Sequence, residues 1–347
     1  MLRKIKSYYF LKLLFNLTNE KSKFKLLKYN KDLKKRIDIN LLDYKNFSGK
    51  YIIYESNEKG KEYDEFTKSL IYKGGYLKGE RSGNGIEYAY LEEKILYEGE
   101  YLNGRRNGKG KEYHFNGKLK FKGEYLNGKK NGKAKEYYKN GKLMFKGEYL
   151  NGIINGKVRE YYENGKLQFE GEYSNGTRNG KAKKYYKNGK LMFEGEYLNN
   201  EKNGKAKEYY KNGKLMFEGK YLNDMRNGSA KKYYRNGKLM FECKYLNDMR
   251  NGSAKKYYRN GKLQFNGEYL EDKKNGKAKE YYENGKLRLE GEYIEDKLNG
   301  YGKTYYYNGK LEFEGVFLND LMLHGKFYDC HGKLKDQWKN SNFFSKK

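Results

Sequence analysis

Proline is absent from all 347 residues. Nothing in the chain therefore lacks a backbone donor for a sheet ladder, and no collagen pattern exists. Cysteine occurs only at Cys243 and Cys330, too few to staple a chain of this length, so a disulfide framework is excluded. Histidine occurs only at 114, 324 and 331 and tryptophan once, which leaves little material for a metal centre or a histidine-based active site. No apolar run approaches the ~20 residues that cross a bilayer as a helix. Acids are outnumbered, 45 against 76 Lys and Arg, for a net charge of +31. Disorder is argued against by an aromatic content of 17%, because chains that bury no surface are poor in rings.

What is abundant is Gly (42) and Tyr (41), and both recur with one period. Phe121, Phe145, Phe169, Phe193, Phe217, Phe241, Phe265, Leu289 and Phe313 are 24 residues apart, and Tyr97 extends the series one step back. Such a period means a linear array in which each repeat buries its apolar face against its neighbours. Four segments follow: a basic segment at 1–46, two degenerate repeats at 47–96, nine regular repeats at 97–312, and a degraded capping repeat with a basic tail at 313–347.

Within a repeat, Leu143, Phe145, Gly147 and Tyr149 fall on one face of an extended segment and Met144, Lys146, Glu148 and Leu150 on the other. After a loop at 151–155, Gly156, Val158, Glu160 and Tyr162 alternate with Lys157, Arg159 and Tyr161 as a second strand. Asn164-Gly165, like Asn140-Gly141, then predicts a tight type I′ turn. Each repeat is thus a hairpin, with Phe121, Gly123 and Tyr125, or Phe169, Gly171 and Tyr173, at equivalent structural positions. The mid-strand glycines imply a close approach, with rings of adjacent hairpins over the backbone. Cys243 takes the glycine place in its repeat as a tolerated small side chain. The fold expected is all-β: about twelve antiparallel hairpins in an open twisted sheet, elongated to the order of 115 Å at ~4.8 Å per strand.

This pattern resembles the MORN repeat on the residues Phe121, Gly123, Tyr125, Asn127, Gly128, Asn131, Gly132, Ala134, Asn140 and Gly141. Asn stands for the family's usual His, Ala for a Gly, and each repeat is one residue longer. It is more similar to the bacterial MORN-variant repeat, with a Gly-Lys-x-x-x-Tyr-Tyr-x-Asn-Gly-Lys-Leu core, from about Phe47 to Leu334. The resemblance implies an open hairpin sheet acting as a binding or membrane-associated scaffold. Bacterial members are often labelled antitoxins of toxin–antitoxin systems, which would imply a neutralised protein partner.

No catalytic constellation is present, so an enzyme, a cofactor and a small-molecule substrate are not expected. His324, Cys330 and His331 match no paired zinc-ligand spacing. The recurring charge and rings nominate an interaction surface instead: Lys129, Lys130, Lys133 and Lys135 in one repeat, and Tyr137, Tyr161, Tyr185, Tyr209, Tyr233, Tyr257 and Tyr281 along the array. A stripe of rings among lysines can stack bases or sit at lipid headgroups, and it can equally be cross-strand packing with lysine stems laid over the rings. A protein partner bound by the scaffold is the first expectation. An anionic membrane surface is the alternative, and nucleic acid ranks below both because no groove-reading element is evident.

Residues 1–46 carry thirteen Lys and Arg against four acids, with apolar residues at helical spacing from Leu2 to Leu17. They read as a helical cap or a surface anchor. The start also resembles an atypical export signal that Lys12 interrupts and no small-residue cleavage pattern follows. The cytoplasm is preferred over the membrane periphery and export.

Overall fold

A computed structural model describes residues 49–339. The expected N-terminal helix and the last residues of the basic tail lie outside that range. Among the described residues there are 27 strands and no helix, so the chain is all-β, as its alternation predicts. Two compact units divide the chain between Ile153 and Ile154. In the first, the strands from Lys50–Ser56 to Leu143–Leu150 each pair antiparallel with the next in sequence. The second repeats this order from Gly156–Tyr161 to Leu334–Lys339.

The two turns of each repeat exchange the roles read from the sequence. Asn127 and Gly128 both have positive φ (+49° and +82°), and Leu126 pairs with Lys129 directly across them. That is the two-residue type I′ turn. Asn151-Gly152 does the same (+51° and +88°), so the expected loop at 151–155 is in fact the tight turn. At Asn164-Gly165, by contrast, only the glycine is positive (+87°), and Gly165 donates to the Tyr162 carbonyl while Tyr162 donates to Lys166. This is a longer loop, a type I turn closed by a left-handed glycine. Both sites spell Asn-Gly, so the dipeptide could not separate them. The Asn164 side chain accepts the Lys166 N–H at 2.9 Å, a local bond that keeps Asn164 out of positive φ.

In each unit one sheet face carries the core. In the first, Tyr72, Tyr76, Tyr97, Tyr101, Phe121 and Tyr125 are buried together, with rings meeting edge to face at 5.2 to 5.6 Å. In the second, Phe169, Phe193, Phe217, Phe265 and Phe313 are almost inaccessible, and Phe193, Phe217 and Phe265 pack on the tyrosine four residues on. Each such pair contributes about 0.5–1.5 kcal/mol beyond its buried area.

The mid-strand glycine is required by that packing. A Cβ on Gly123 would stand 2.7 Å from the tip of the Phe121 ring and 2.9 Å from the Ala134 methyl. The ring over the glycine belongs to its own strand, two residues back, and not to an adjacent hairpin as expected. Where Cys243 replaces the glycine, Phe241 meets Tyr269 of the next repeat at 5.9 Å.

Candidate functional site

The face opposite the core is built from the alternate residues of every strand. Lys133 and Lys135 are exposed there, and Lys129 is exposed beside its tight turn. Lys130 turns to the other face. Its ammonium is hydrogen-bonded to Glu136 and lies 4.3 Å from the centre of the Phe121 ring. It belongs to the core-face network of the repeat.

The nominated tyrosines are half-buried between neighbouring strands, and three of the hydroxyls bond a carboxylate. Tyr185 donates to Glu170 at 2.8 Å, Tyr209 to Glu194 at 3.0 Å and Tyr233 to Glu218 at 2.5 Å. Burial, followed by the hydrogen bond to the carboxylate, pushes Tyr185 and Tyr209 up to about 12. For Tyr257 the direction is the same, through burial and then the charge of Glu242. Fifteen residues before Tyr137 and Tyr281 stand Lys122 and Asn266, which offer no carboxylate. Tyr161 lies at the equivalent place and is part-buried. These rings are primarily cross-strand packing.

The second tyrosine of each Tyr-Tyr pair holds one repeat to the next. Tyr186 donates to the Tyr209 carbonyl and Tyr210 to that of Tyr233, each at 2.7 Å. At the same edge, Lys190 and Lys214 donate to the carbonyls of Asn212 and Asn236 at 2.7 and 2.6 Å. These lysines are therefore occupied in joining repeats, which removes part of the apparent basic surface from any partner.

One feature of this face was missed in the residue patterns. The residue after each strand tyrosine is an exposed apolar one: Leu102, Leu126 and Leu150 in the first unit, and Leu198, Leu222, Leu246, Leu270 and Ile294 in the second, between 46% and 55% exposed. Only Ser174 breaks the row. Across the tight turn, Leu222 pairs with Met225 and Leu246 with Met249, both also exposed. The signal was present as a leucine every 24 residues next to Asn, and a face assignment without burial does not distinguish it from core.

Among the described residues no group of three His, Cys, Asp or Glu could hold a metal ion. Cys330 is exposed, and Cys243 is buried, with its thiol pushed up to about 11 by that burial. A thiol so disposed is a poor nucleophile.

The model of the MORN repeat variant matches residues 130–151, 154–175, 178–199, 202–223, 226–247, 250–271 and 274–295. That of the MORN repeat matches 72–89, 97–118 and 290–310. No curated protein sequence matches the chain. Among solved structures, TarM, a protein of S. aureus, is 16% identical with a TM-score of 0.22, over 39% of this chain and 28% of that one. The structure of TcdB2-TccC3 is 11% identical with a TM-score of 0.17, over 82% of this chain and 18% of that one. The chain thus spans less than a third of either.

Proposed function

Because the chain belongs to the MORN-repeat family, a family of repeat scaffolds with a binding role, we propose that it is non-enzymatic and binds a protein partner on the face opposite its core. The observation that carries this reading is the row of half-exposed leucines, to which Met225 and Met249 add. Within each unit, an ordered row of exposed apolar residues bordered by charge supports an interaction surface, since apolar residues scattered singly need no explanation but an ordered row does. Both signs of charge accompany it. Lys183 and Lys207 stand opposite Glu170 and Glu194 in the ladder, and such mixed charge suits a protein surface better than an anionic bilayer. An antitoxin-like role is one form of this reading, with the bound protein as the neutralised toxin.

Anionic lipid is the second reading, favoured by exposed lysines such as Lys129 beside the leucine row. One experiment separates the two. Tagged full-length chain is used to capture partners from its native lysate at low and high salt, with and without nuclease and lipid stripping, beside the variant Leu222→Glu/Leu246→Glu. One protein retained in stoichiometric amount at high salt, and lost with the variant, supports the scaffold. Retention of lipid or nucleic acid alone, released by salt, overturns it.

A further inference from the structure

On the core face, one position of each repeat is built for an acid. Glu87, Glu112, Glu136, Glu160, Glu208 and Glu280 occupy it, and each accepts a hydrogen bond of 2.7 to 3.0 Å from the tyrosine thirteen or fourteen residues later. A cation six residues earlier completes the group, as Lys202 does for Glu208 and Lys274 for Glu280, both at 2.5 Å. Tyrosine hydroxyl, carboxylate and ammonium or guanidinium thus recur as one constellation.

In the second unit the same position holds Lys184, Lys232 and Lys256. The carboxylate is replaced by a positive charge while the rest of the group stays. The hydroxyl of Tyr197, which would have met an acid at 184, is buried with no hydrogen-bond partner, and Tyr197 itself is 4% exposed. Arg226 and Arg250, the cations of the next two such repeats, turn instead to Asp248 and Asp272 in the following tight turns, at 2.7 and 2.6 Å. Lys232 and Lys256 are left with neither a hydrogen bond nor an ion pair among the described residues. Both are part-buried, and Lys232 borders an open cleft of about 280 Å³ together with Tyr221 and Arg226.

We propose that Lys232 and Lys256 receive two carboxylates of an acidic peptide segment, which restore from outside the acids these repeats lack. Charge complementarity identifies the occupant. A carboxylate is the group that the unaltered repeats hold at this place, and a half-buried ammonium without an ion pair gains more from an anion than from a neutral acceptor. Spacing narrows it further. The strands carrying Lys232 and Lys256 are separated by the single strand Leu239–Leu246, so the two positions lie roughly 10 Å apart at ~4.8 Å per strand step. A polyproline II chain advances about 9.3 Å in three residues and returns to the same side, so acids at every third residue match both lysines. This site rests on the scaffold reading only in that its ligand is a segment of a protein.

The test uses full-length protein and two fluorescent peptides of one composition, Glu-Pro-Pro-Glu-Pro-Pro-Glu and Glu-Glu-Glu-Pro-Pro-Pro-Pro, followed by anisotropy at moderate salt. The spaced peptide is expected to bind about tenfold tighter than the clustered one. Lys232→Glu/Lys256→Glu restores the acid found in other repeats. It is expected to unfold at a higher urea concentration than the parent and to lose about tenfold in affinity for the spaced peptide. Lys231→Glu/Lys255→Glu changes the charge equally on the opposite face and is expected to stay within about twofold. Equal binding of the two peptides, or equal loss in the two variants, overturns the site. Either result leaves the lysate capture, which depends on the leucine row, to decide the scaffold reading separately.

Discussion

Tyr221 donates to Glu208 at 3.0 Å across thirteen residues, so the hydroxyl of one repeat is held by the carboxylate of the repeat before it. Lys202 meets the same oxygen at 2.5 Å, and both charged side chains are less than a third exposed. Glu208→Ala strands a cation and a hydroxyl together. A loss of about 2 kcal/mol is expected, read as a lower urea midpoint at unchanged slope. A midpoint within error of the parent would show that water replaces the carboxylate there.

Gly195→Ala tests the close approach. The added Cβ would lie 2.7 Å from the Ala206 methyl and 2.8 Å from the Phe193 ring tip. Both contacts are below what real structures show, and the strand is paired on both sides, so the ring must move. The expected cost is about 1–3 kcal/mol, against the usual gain from replacing glycine in a strand. A stabilised variant would refute the packing described.

Acid should weaken the first unit. At Glu87 burial acts to raise the carboxyl but is outweighed by hydrogen bonds from Arg106 and Tyr101, and at Glu112 by Tyr125 and Arg106, so both sit below the usual range. A depressed folded value contributes stability that is present above the unfolded value of about 4.3 and is lost as pH falls through the folded one. Melting temperatures should therefore drop below about pH 4.3, and Glu112→Gln should flatten that limb. An acid limb unchanged by the substitution would count against the assignment.

Alkali should act in the opposite sense on the tyrosines. Tyr185 and Tyr209 are raised to about 12, first by burial and then by their carboxylate partners. Their contribution is complete below the unfolded value of about 10 and is lost as pH rises through the folded values. Tyrosinate absorbance and the loss of the β signal in circular dichroism should rise together. Ionisation of most rings near their ordinary value in a chain that remains folded is the contrary outcome.

The strands and their inward residues were legible because alternation and a 24-residue period leave little freedom: Phe145 and Val158 are buried where the pattern places them. The turns were not, since Asn127-Gly128 and Asn164-Gly165 are the same dipeptide in two different turns. What separates them is the Asn164 side chain accepting the Lys166 N–H, which composition does not report. Lys129 and Lys130 are adjacent in sequence and diverge in role, one exposed and one over the Phe121 ring, because a strand sends neighbours to opposite faces. The exposed leucines read as ordinary apolar residues until burial was known. Lys184, Lys232 and Lys256 were invisible as exceptions because lysine is common everywhere else in the chain.

Between regular repeats the joining bonds reach a constant number of residues along the chain: 23 from Tyr186 to the Tyr209 carbonyl, 22 from Lys190 to that of Asn212. Length is therefore quantised. Adding or removing a whole repeat leaves every such partner at its proper count, and the near-identity of residues 217–240 and 241–264 is what duplication under that rule produces. Tyr72 and Tyr97 are 25 apart, and the surplus residue sits in the long loop, where Ala89 donates to Lys94 instead of reaching four residues on as Tyr138 does to Lys142. Single-residue changes thus stand near the two ends of the described array, in that long loop and in the last repeat, where Tyr306 and Lys310 reach 22 and 21 residues to Tyr328 and His331, while the repeats between keep to twenty-fours.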